Sequence, residues 1–198
     1  MNTPSRCTWC LSTPEYIRYH DEEWGRPVRD DRVLFEFLIL EGAQAGLSWR
    51  TILERRAGYR RAFADFDVKK LARYTDAQLE KLVSDPGIVR HRQKIFSVRS
   101  NAQAYQRVQR EFGSFAAYLW AFVDDTPIVN APRALGDVPA KTPLSDRISK
   151  DLKKRGFGFI GSTIVYAYLQ AVGVVNDHLA NCPQQAVSAA AKPKKRGR

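Results

Sequence analysis

The most constraining feature of the chain is an apolar run that ends in a carboxylate. Residues 31–44 read DRVLFEFLILEGAQ, which is apolar around most of a helix, so we predict a helix buried in the core. Asp30 or Asp31 is placed to be its N-cap. Glu41 follows three apolar residues directly. Because burying an unpaired carboxylate is costly, Glu41 must have a partner, a raised pKa or a ligand.

Helical periodicity dominates the rest of the chain. Residues 48–66 form an amphipathic pattern with Ser48 as N-cap, and residues 91–113 form a long pattern closed by Gly113. Alternating strand patterns are scarce, and the Pro-rich stretch 126–143 is typical of a long loop. We therefore predict one all-α domain over residues 1–182, followed by a flexible basic tail over residues 183–198.

The composition favours a polyanionic partner. The chain has 198 residues, with 32 Lys and Arg against 21 Asp and Glu, for a net charge of +11, and five of the basic residues lie in the C-terminal KPKKRGR. No run reaches the ~18 apolar residues of a membrane span, and the first residues contain no secretory signal. The odd number of cysteines, 3, is typical of a reducing compartment, so we predict a cytoplasmic protein with no membrane contact.

Candidate metal ligands lie at the two ends of the chain. Cys7 and Cys10 form a C-x2-C pattern, and His178 and Cys182 are four residues apart, on one face of a helix. With His20 they provide more than the four ligands of a tetrahedral zinc site, which would join the two ends of the chain. The alternative is unpaired buried cysteines and surface histidines. Spacing does not decide whether Cys10 or His20 completes the set.

Aromatic residues concentrate near the predicted metal ligands and near the buried carboxylate. Tyr16, Tyr19 and Trp24 lie within ten residues of each other, and Trp49 follows the segment that contains Glu41. Such residues usually build a core. The functional alternative is a stacking pocket for a planar ring, with Glu41 on its rim. That pocket would suit a ring that carries an exocyclic amine or a positive charge.

A third candidate site is a basic helical hairpin over residues 75–102. It contains a helix, a tight Pro86-Gly87 turn, and a second helix that opens with Arg90, Arg92 and Lys94. A turn between helices presents backbone N–H groups that bind phosphate, and the flanking cations would add to the attraction. The alternative is an ordinary αα-hairpin with a solvated end.

Five stretches of the chain together resemble the DNA-3-methyladenine glycosylase I family. They are RCTWC at 6–10, YIRYHDEEWG at 16–25, LEGAQAGLSW at 40–49, GIVRHRQKI at 87–95 and KKRGFGFIGSTIVYAYLQAVGVVNDH at 153–178. The resemblance implies an all-α helix-hairpin-helix fold that flips a damaged nucleotide out of double-stranded DNA. It further implies hydrolysis of the N-glycosidic bond, release of 3-methyladenine, and a monofunctional reaction that leaves an abasic site.

The resemblance also implies roles for individual residues. Glu41 is the glutamate that reads the adenine edge, in recognition and electrostatic stabilisation rather than as a general base. Trp49 stacks on the base, and Tyr16, Tyr19 and Trp24 line the pocket. A structural Zn²⁺ falls on four of the terminal ligands, with Cys10 as an extra thiol: Cys7, His20, His178 and Cys182.

The DNA contacts implied by the resemblance lie on two loops. Gly46 and Leu47 match the segment that approaches the gap left in the duplex, and the second group lies in the basic hairpin: Gly87, Arg90, Arg92 and Lys94. The hairpin departs from the wider superfamily because no second glycine follows Gly87 closely. We expect a monomer that acts on DNA containing alkylated bases. The alternatives are a non-catalytic zinc-containing DNA-binding module and a glycosylase for a different lesion.

Overall fold

Helices make up most of the structure. The computed structural model describes residues 5–190, with side chains through residue 187. The helices of this range are α1 (Pro14–Glu22), α2 (Asp31–Gln44), α3 (Trp49–Glu54), α4 (Arg56–Ala62), α5 (Val68–Leu71), α6 (Asp76–Leu82), α7 (Arg92–Phe112), α8 (Phe115–Trp120), α9 (Pro143–Lys154), α10 (Ser162–Ala171) and α11 (Pro183–Ala190). The predicted all-α class is confirmed, with one small addition. Strands β1 (Ile128–Val129) and β2 (Val175–Asn176) pair in parallel, with Ile128 opposite Val175.

Helix α2 lies at the centre of the fold, as its sequence predicts. Its residues 34–43 are all buried, and it packs against α3, α7, α8 and α10. Asp30 is the N-cap, because its carboxylate accepts from the backbone N–H groups of Arg32 and Val33 at 2.9 and 3.0 Å. The Asp31 carboxylate points away and accepts instead from the first N–H groups of α8, those of Phe115 and Ala116. These two bonds fix α2 against α8.

Two helix predictions need correction. The single helix predicted over residues 48–66 is divided into α3 and α4 at Arg55, whose backbone (φ −98°, ψ 1°) leaves the helical region. The tail predicted to be flexible from residue 183 begins instead with α11. This helix is held by hydrogen bonds from Arg26 to the Gln184 side chain and from the Asn176 side chain to the Gln185 carbonyl. The rest of the predicted tail, residues 191–198, lies outside the described residues.

The long predicted helix is confirmed as α7, and it forms a hairpin with α6. The connection over residues 83–91 turns at Gly87. It packs on α4 at a point where each of the two segments has a glycine, Gly87 in the turn and Gly58 in the helix. A Cβ atom added to Gly58 would lie 2.0 Å from the Gly87 carbonyl oxygen. Glycine at position 58 therefore allows the hairpin turn to touch the helix backbone.

No helix in the described part of the chain combines the length and the apolar character that crossing a membrane requires.

Replacement of Gly58 tests this close approach. We expect Gly58→Ala to lower the free energy of unfolding by about 3 kcal/mol, since the backbone of the hairpin must move to admit the methyl group. Gly136→Ala is the matched control, because nothing lies within 4 Å of a Cβ atom at that exposed position. Denaturant unfolding of both variants measures the difference. Equal stability of the two variants would contradict the packing described here.

Candidate active site and metal-ligand cluster

A cavity of about 330 Å³ opens beside the C-terminal end of α2. The predicted base-binding aromatic residues and Glu41 all line it, although they come from α1, α2, α3 and the segment after α1. One further aromatic residue, Trp9, joins them. We call these side chains the aromatic wall: Trp9, Tyr16, Tyr19, Trp24 and Trp49.

The rings of the aromatic wall support one another. The Trp9 ring centroid lies 5.0 Å from that of Tyr16 and 5.0 Å from that of Trp24, and the Tyr19 centroid lies 5.4 Å from that of Trp49. Tyr19 is buried, while the other four rings are partly exposed to the cavity. Because each ring is packed on its neighbours, the wall presents flat apolar faces of a size that suits a planar heterocycle.

Glu41 is a buried carboxyl group of this cavity that has no cation to pair with among the described residues. It is 3% exposed, and its Oε2 atom has no hydrogen-bond partner among the described residues. Burial raises the pKa of Glu41 to about 8. The indole Nε1 of Trp49 is also buried and unpartnered within the described part of the chain. An acceptor and a donor are therefore available to a molecule in the cavity.

A second buried glutamate on the same helix, Glu36, is paired with two arginines. Glu36 is 6% exposed, and it accepts from Arg56 at 2.7 Å and from Arg60 at 2.8 and 3.2 Å. Burial raises its pKa, but the hydrogen bonds from the two guanidinium groups outweigh burial and lower the pKa below the ordinary value. The contrast makes Glu41 a candidate functional group.

The four predicted metal ligands come together in one cluster. The ligand atoms of Cys7, His20, His178 and Cys182 all lie within 4.8 Å of one another, and all four residues are buried. The Cys182 sulfur lies 3.5 Å from His20 Nε2 and 3.7 Å from His178 Nδ1, and the Cys7 sulfur lies 3.8 Å from the same Nδ1. These separations fit the edges of a tetrahedron, about 3.5 Å for zinc with nitrogen and sulfur ligands.

The surroundings of the cluster also suit a metal ion. His20 Nδ1 lies 2.8 Å from the Asp21 carboxylate, and His178 Nε2 lies 3.0 Å from the Trp24 carbonyl, so each ring nitrogen that faces away from the cluster has an oxygen partner. Burial lowers the pKa of His178 to about 4 and also lowers that of His20, which keeps both rings neutral and able to coordinate.

Cys10 lies outside this group of four. Its thiol is buried and donates to the Cys7 carbonyl at 3.1 Å, and burial raises its pKa to about 11. The structure therefore brings His20, and not Cys10, to the other three ligands.

The residues predicted to contact DNA have mixed environments. Gly46 adopts a positive φ of 82°, and Leu47 beside it is 41% exposed. In the hairpin, Arg90 is exposed, whereas Gly87 donates its N–H to the Asp85 carboxylate at 2.7 Å. Arg92 forms an ion pair with Glu80 at 3.0 Å.

Lys94 is engaged inside the protein. Its ammonium donates to the carbonyl oxygens of Ala43 and Ala45 at 2.9 and 2.5 Å, which closes the C-terminal end of α2. Burial lowers the pKa of Lys94. A cation at a helix C-terminus interacts favourably with the helix dipole, so Lys94 also holds the end of the helix that carries Glu41.

Sequence reasoning missed several residues of the cavity. Trp9 lies between the two cysteines of the C-x2-C pattern, and this position next to a predicted ligand was the available signal. Asp177 directly precedes the cluster residue His178, and Gln170 lies near the end of α10. Leu135 and Val138 come from the predicted loop, where no pattern indicates a role.

The fold and the site together define a class of protein. An all-α chain with an aromatic cavity, a buried uncompensated carboxylate and a cysteine–histidine cluster near it is suited to bind one flat, polar ring out of water. The chain belongs to the methyladenine glycosylase family of enzymes, which its residues 9–185 match. The predicted family is thereby confirmed.

Individual relatives resemble the chain over most of its length. DNA-3-methyladenine glycosylase 1 of Escherichia coli (strain K12) is 47% identical over 177 residues, which cover 89% of this chain and 95% of that protein. A crystal structure of a 3-methyladenine DNA glycosylase I is 46% identical, with a TM-score of 0.88, and covers 90% of this chain and 98% of its own. The Staphylococcus aureus glycosylase I, solved to explain 3-methyladenine recognition, is 35% identical, with a TM-score of 0.88 over 98% of this chain and 100% of its own.

The raised pKa of Glu41 makes a prediction about stability. The folded state binds the proton of the Glu41 carboxyl group more tightly than the unfolded state does. The contribution of this proton to the free energy of unfolding is therefore complete below the ordinary pKa of 4.5, and it is lost as the pH rises through about 8. We expect Glu41→Gln to match the wild type near pH 5 and to exceed its free energy of unfolding by about 3 kcal/mol near pH 9.

Urea unfolding across this pH range measures the effect. Glu36→Gln is the control on the same helix, and it should lose about 3 kcal/mol near pH 7, because it leaves two arginines without their shared carboxylate. A difference between wild type and Glu41→Gln that does not change with pH would contradict the raised pKa.

Proposed function

We propose that this protein is a monofunctional DNA glycosylase that flips 3-methyladenine out of alkylated double-stranded DNA and excises it by hydrolysis, leaving an abasic site. The observation that carries the proposal is Glu41: a buried carboxyl group with an unpartnered oxygen, set in a cavity walled by aromatic rings. The relatives named above support the same substrate, since the Staphylococcus aureus enzyme recognises 3-methyladenine.

The chemistry of the lesion suits this cavity. An adenine methylated at N3 in DNA carries a positive charge, so it is already a good leaving group and needs no proton from the enzyme. Aromatic faces attract a cationic ring, and a carboxylate accepts a hydrogen bond from its exocyclic amine. Ordinary adenine has neither the charge nor the methyl group, so it gains less from the same cavity.

The protonation state of Glu41 adds to selection. With a pKa of about 8, the carboxyl group of the empty cavity is mostly protonated near neutral pH. A cationic ring placed beside it favours the ionised form, so the entry of the lesion and the ionisation of Glu41 support each other. A neutral base brings no such gain. Glu41 thus serves in recognition and in electrostatic stabilisation of the positive charge that develops on the sugar.

Engagement of duplex DNA is assigned to two loops near the cavity. We propose that α6, the turn at Gly87 and α7 form a helix-hairpin-helix element, with Arg90 and Arg92 toward the phosphates. Leu47, exposed on the loop after α2, is suited to fill the gap that the flipped base leaves. The cavity and both loops belong to one chain, which is consistent with a monomer.

We propose that the four-ligand cluster holds a structural Zn²⁺. Two cysteine thiolates and two neutral imidazoles are a donor set of tetrahedral structural zinc, and all four residues are buried. When bound, the ion would supply cross-linking of the chain ends rather than reaction chemistry. Residues 1–182 would then form one domain closed by its own termini.

The first experiment measures release of free base from methylated DNA. We expect the wild type to release 3-methyladenine, and Glu41→Gln to release it about 10- to 100-fold more slowly, the loss expected when a hydrogen bond to a charged group is removed. Chromatography of the released bases gives both rates.

Glu36→Gln is the control, because it removes the other buried carboxylate of α2 without touching the cavity. Its folded fraction should keep the wild-type rate. A Glu41→Gln enzyme as active as the wild type would refute the role of Glu41, and a folded wild type that releases no base would refute the proposed activity.

The metal proposal is tested by substitution of single cysteines. We expect Cys182→Ser to lose bound zinc and at least about 3 kcal/mol of unfolding free energy, because metal binding contributes directly to folding. Cys10→Ser should keep both its zinc and its stability, since that thiol lies outside the cluster. Metal analysis and thermal unfolding are the measurements. Equal zinc content in the two variants would show that the cluster is not the site.

A further inference from the structure

A second buried carboxylate lines the cavity. Asp177 lies immediately after strand β2 and directly before the cluster residue His178, and it is 3% exposed. Neither the base contacts nor the metal cluster uses it. Its place in the cavity wall is set from both sides, because β2 pairs with β1 and His178 joins the four-ligand cluster.

Three hydrogen bonds hold the Asp177 carboxylate. The Asn130 amide donates to Oδ1 at 2.7 Å, while the Tyr166 hydroxyl and the Gln170 amide donate to Oδ2 at 2.6 and 2.7 Å. The donors come from the loop after β1 and from α10, so the carboxylate is fixed in place. Gln170 also lines the cavity.

All three donors are neutral, and this separates Asp177 from two carboxylates of the chain that are paired with arginine. Glu36 is paired with two arginines, and the partly exposed Asp151 accepts from the Tyr118 hydroxyl but also from Arg155 at 2.6 Å. Among residues 5–187, no lysine, arginine or histidine nitrogen lies within 4.0 Å of the Asp177 carboxylate. Hydrogen bonds from neutral groups stabilise a negative charge without cancelling it, so its field extends into the cavity.

The proposed reaction moves a positive charge through this field. In the substrate the charge is on the methylated base. As the C1′–N9 bond breaks, its electron pair goes to the base, which leaves as a neutral molecule, and the positive charge moves to the sugar. Water then adds to C1′ and loses a proton to solvent. A fixed anion stabilises the charged substrate and the transition state but not the neutral product.

We propose that Asp177 supplies this fixed negative charge and thereby selects for cationic lesions and for the cationic transition state. The inference rests on the proposed function and deepens it. Glu41 and Asp177 then have different tasks: Glu41 reads the amine edge of the base and adds to the electrostatic stabilisation, and Asp177 supplies a negative charge that its neutral donors hold in place.

The test compares a charged substrate with a neutral ligand. Asp177→Asn keeps the shape of the side chain and removes its charge. We expect kcat/KM for 3-methyladenine release from duplex DNA to fall about tenfold or more, while the Kd for free, neutral 3-methyladenine near pH 8 changes less than about twofold. A purely structural role would weaken both. Zinc content, measured on the same samples, reports whether the neighbouring cluster is intact.

A second variant keeps the inference testable if Asp177→Asn folds poorly. Gln170→Lys places a cation beside the carboxylate and cancels its charge without removing it, so the same loss of kcat/KM is expected. Asp151→Asn is the matched control, because that carboxylate also accepts from a tyrosine and lies on another surface groove.

The outcomes separate the two proposals. A wild type that releases no 3-methyladenine overturns the proposed function. A wild type that releases the base, with Asp177→Asn and Gln170→Lys equally fast, overturns only the role of Asp177. Parallel losses in kcat/KM and in affinity for the neutral base also overturn it, because they would assign Asp177 to the architecture of the cavity.

Discussion

The burial of α2 on every side is the constraint on which the site depends. Ten successive residues of this helix, 34–43, are shielded from water, and both of its ends are tied to other helices. At the start, the Asp31 carboxylate accepts from the first N–H groups of α8, and at the end Lys94 donates to two carbonyl oxygens. A helix held in this way cannot rotate to bring Glu41 to solvent. The cost of burying the ionised form of that carboxyl group is therefore built into the fold, and it is relieved by protonation or by a ligand.

Stability and function are opposed at this helix. Glu36 and Glu41 are five residues apart, and both are buried, but only Glu36 is given cations. Glu36 shows that arginine side chains placed beside this helix can neutralise a buried carboxylate. Leaving Glu41 without a partner keeps its oxygen available, at the expense of stability in the pH range where it ionises.

The metal-ligand cluster and the cavity share a wall. Trp9 follows Cys7 by two residues, Tyr19 precedes His20, and the Trp24 carbonyl accepts from His178. Closing the chain ends at the cluster therefore also sets the position of the aromatic wall and of Asp177. This arrangement explains why a cluster with no proposed part in the reaction lies so near the cavity, and it couples the position of the chain ends to the shape of the aromatic wall.

Local patterns were sufficient for much of this protein. The buried helix α2 and the long helix α7 with Gly113 after it follow from the spacing of apolar residues and from caps, because these signals depend on near neighbours in sequence. Spacing also indicated candidate metal ligands at the two chain ends, but only the family resemblance selected His20 over Cys10. Tertiary structure alone decided which distant groups meet. It divided the helix predicted over residues 48–66 and turned Lys94 inward. It also brought Asp177 into the cavity with neutral donors from two other elements, since contacts between remote segments are set by how the whole chain packs and leave no periodic trace in the sequence.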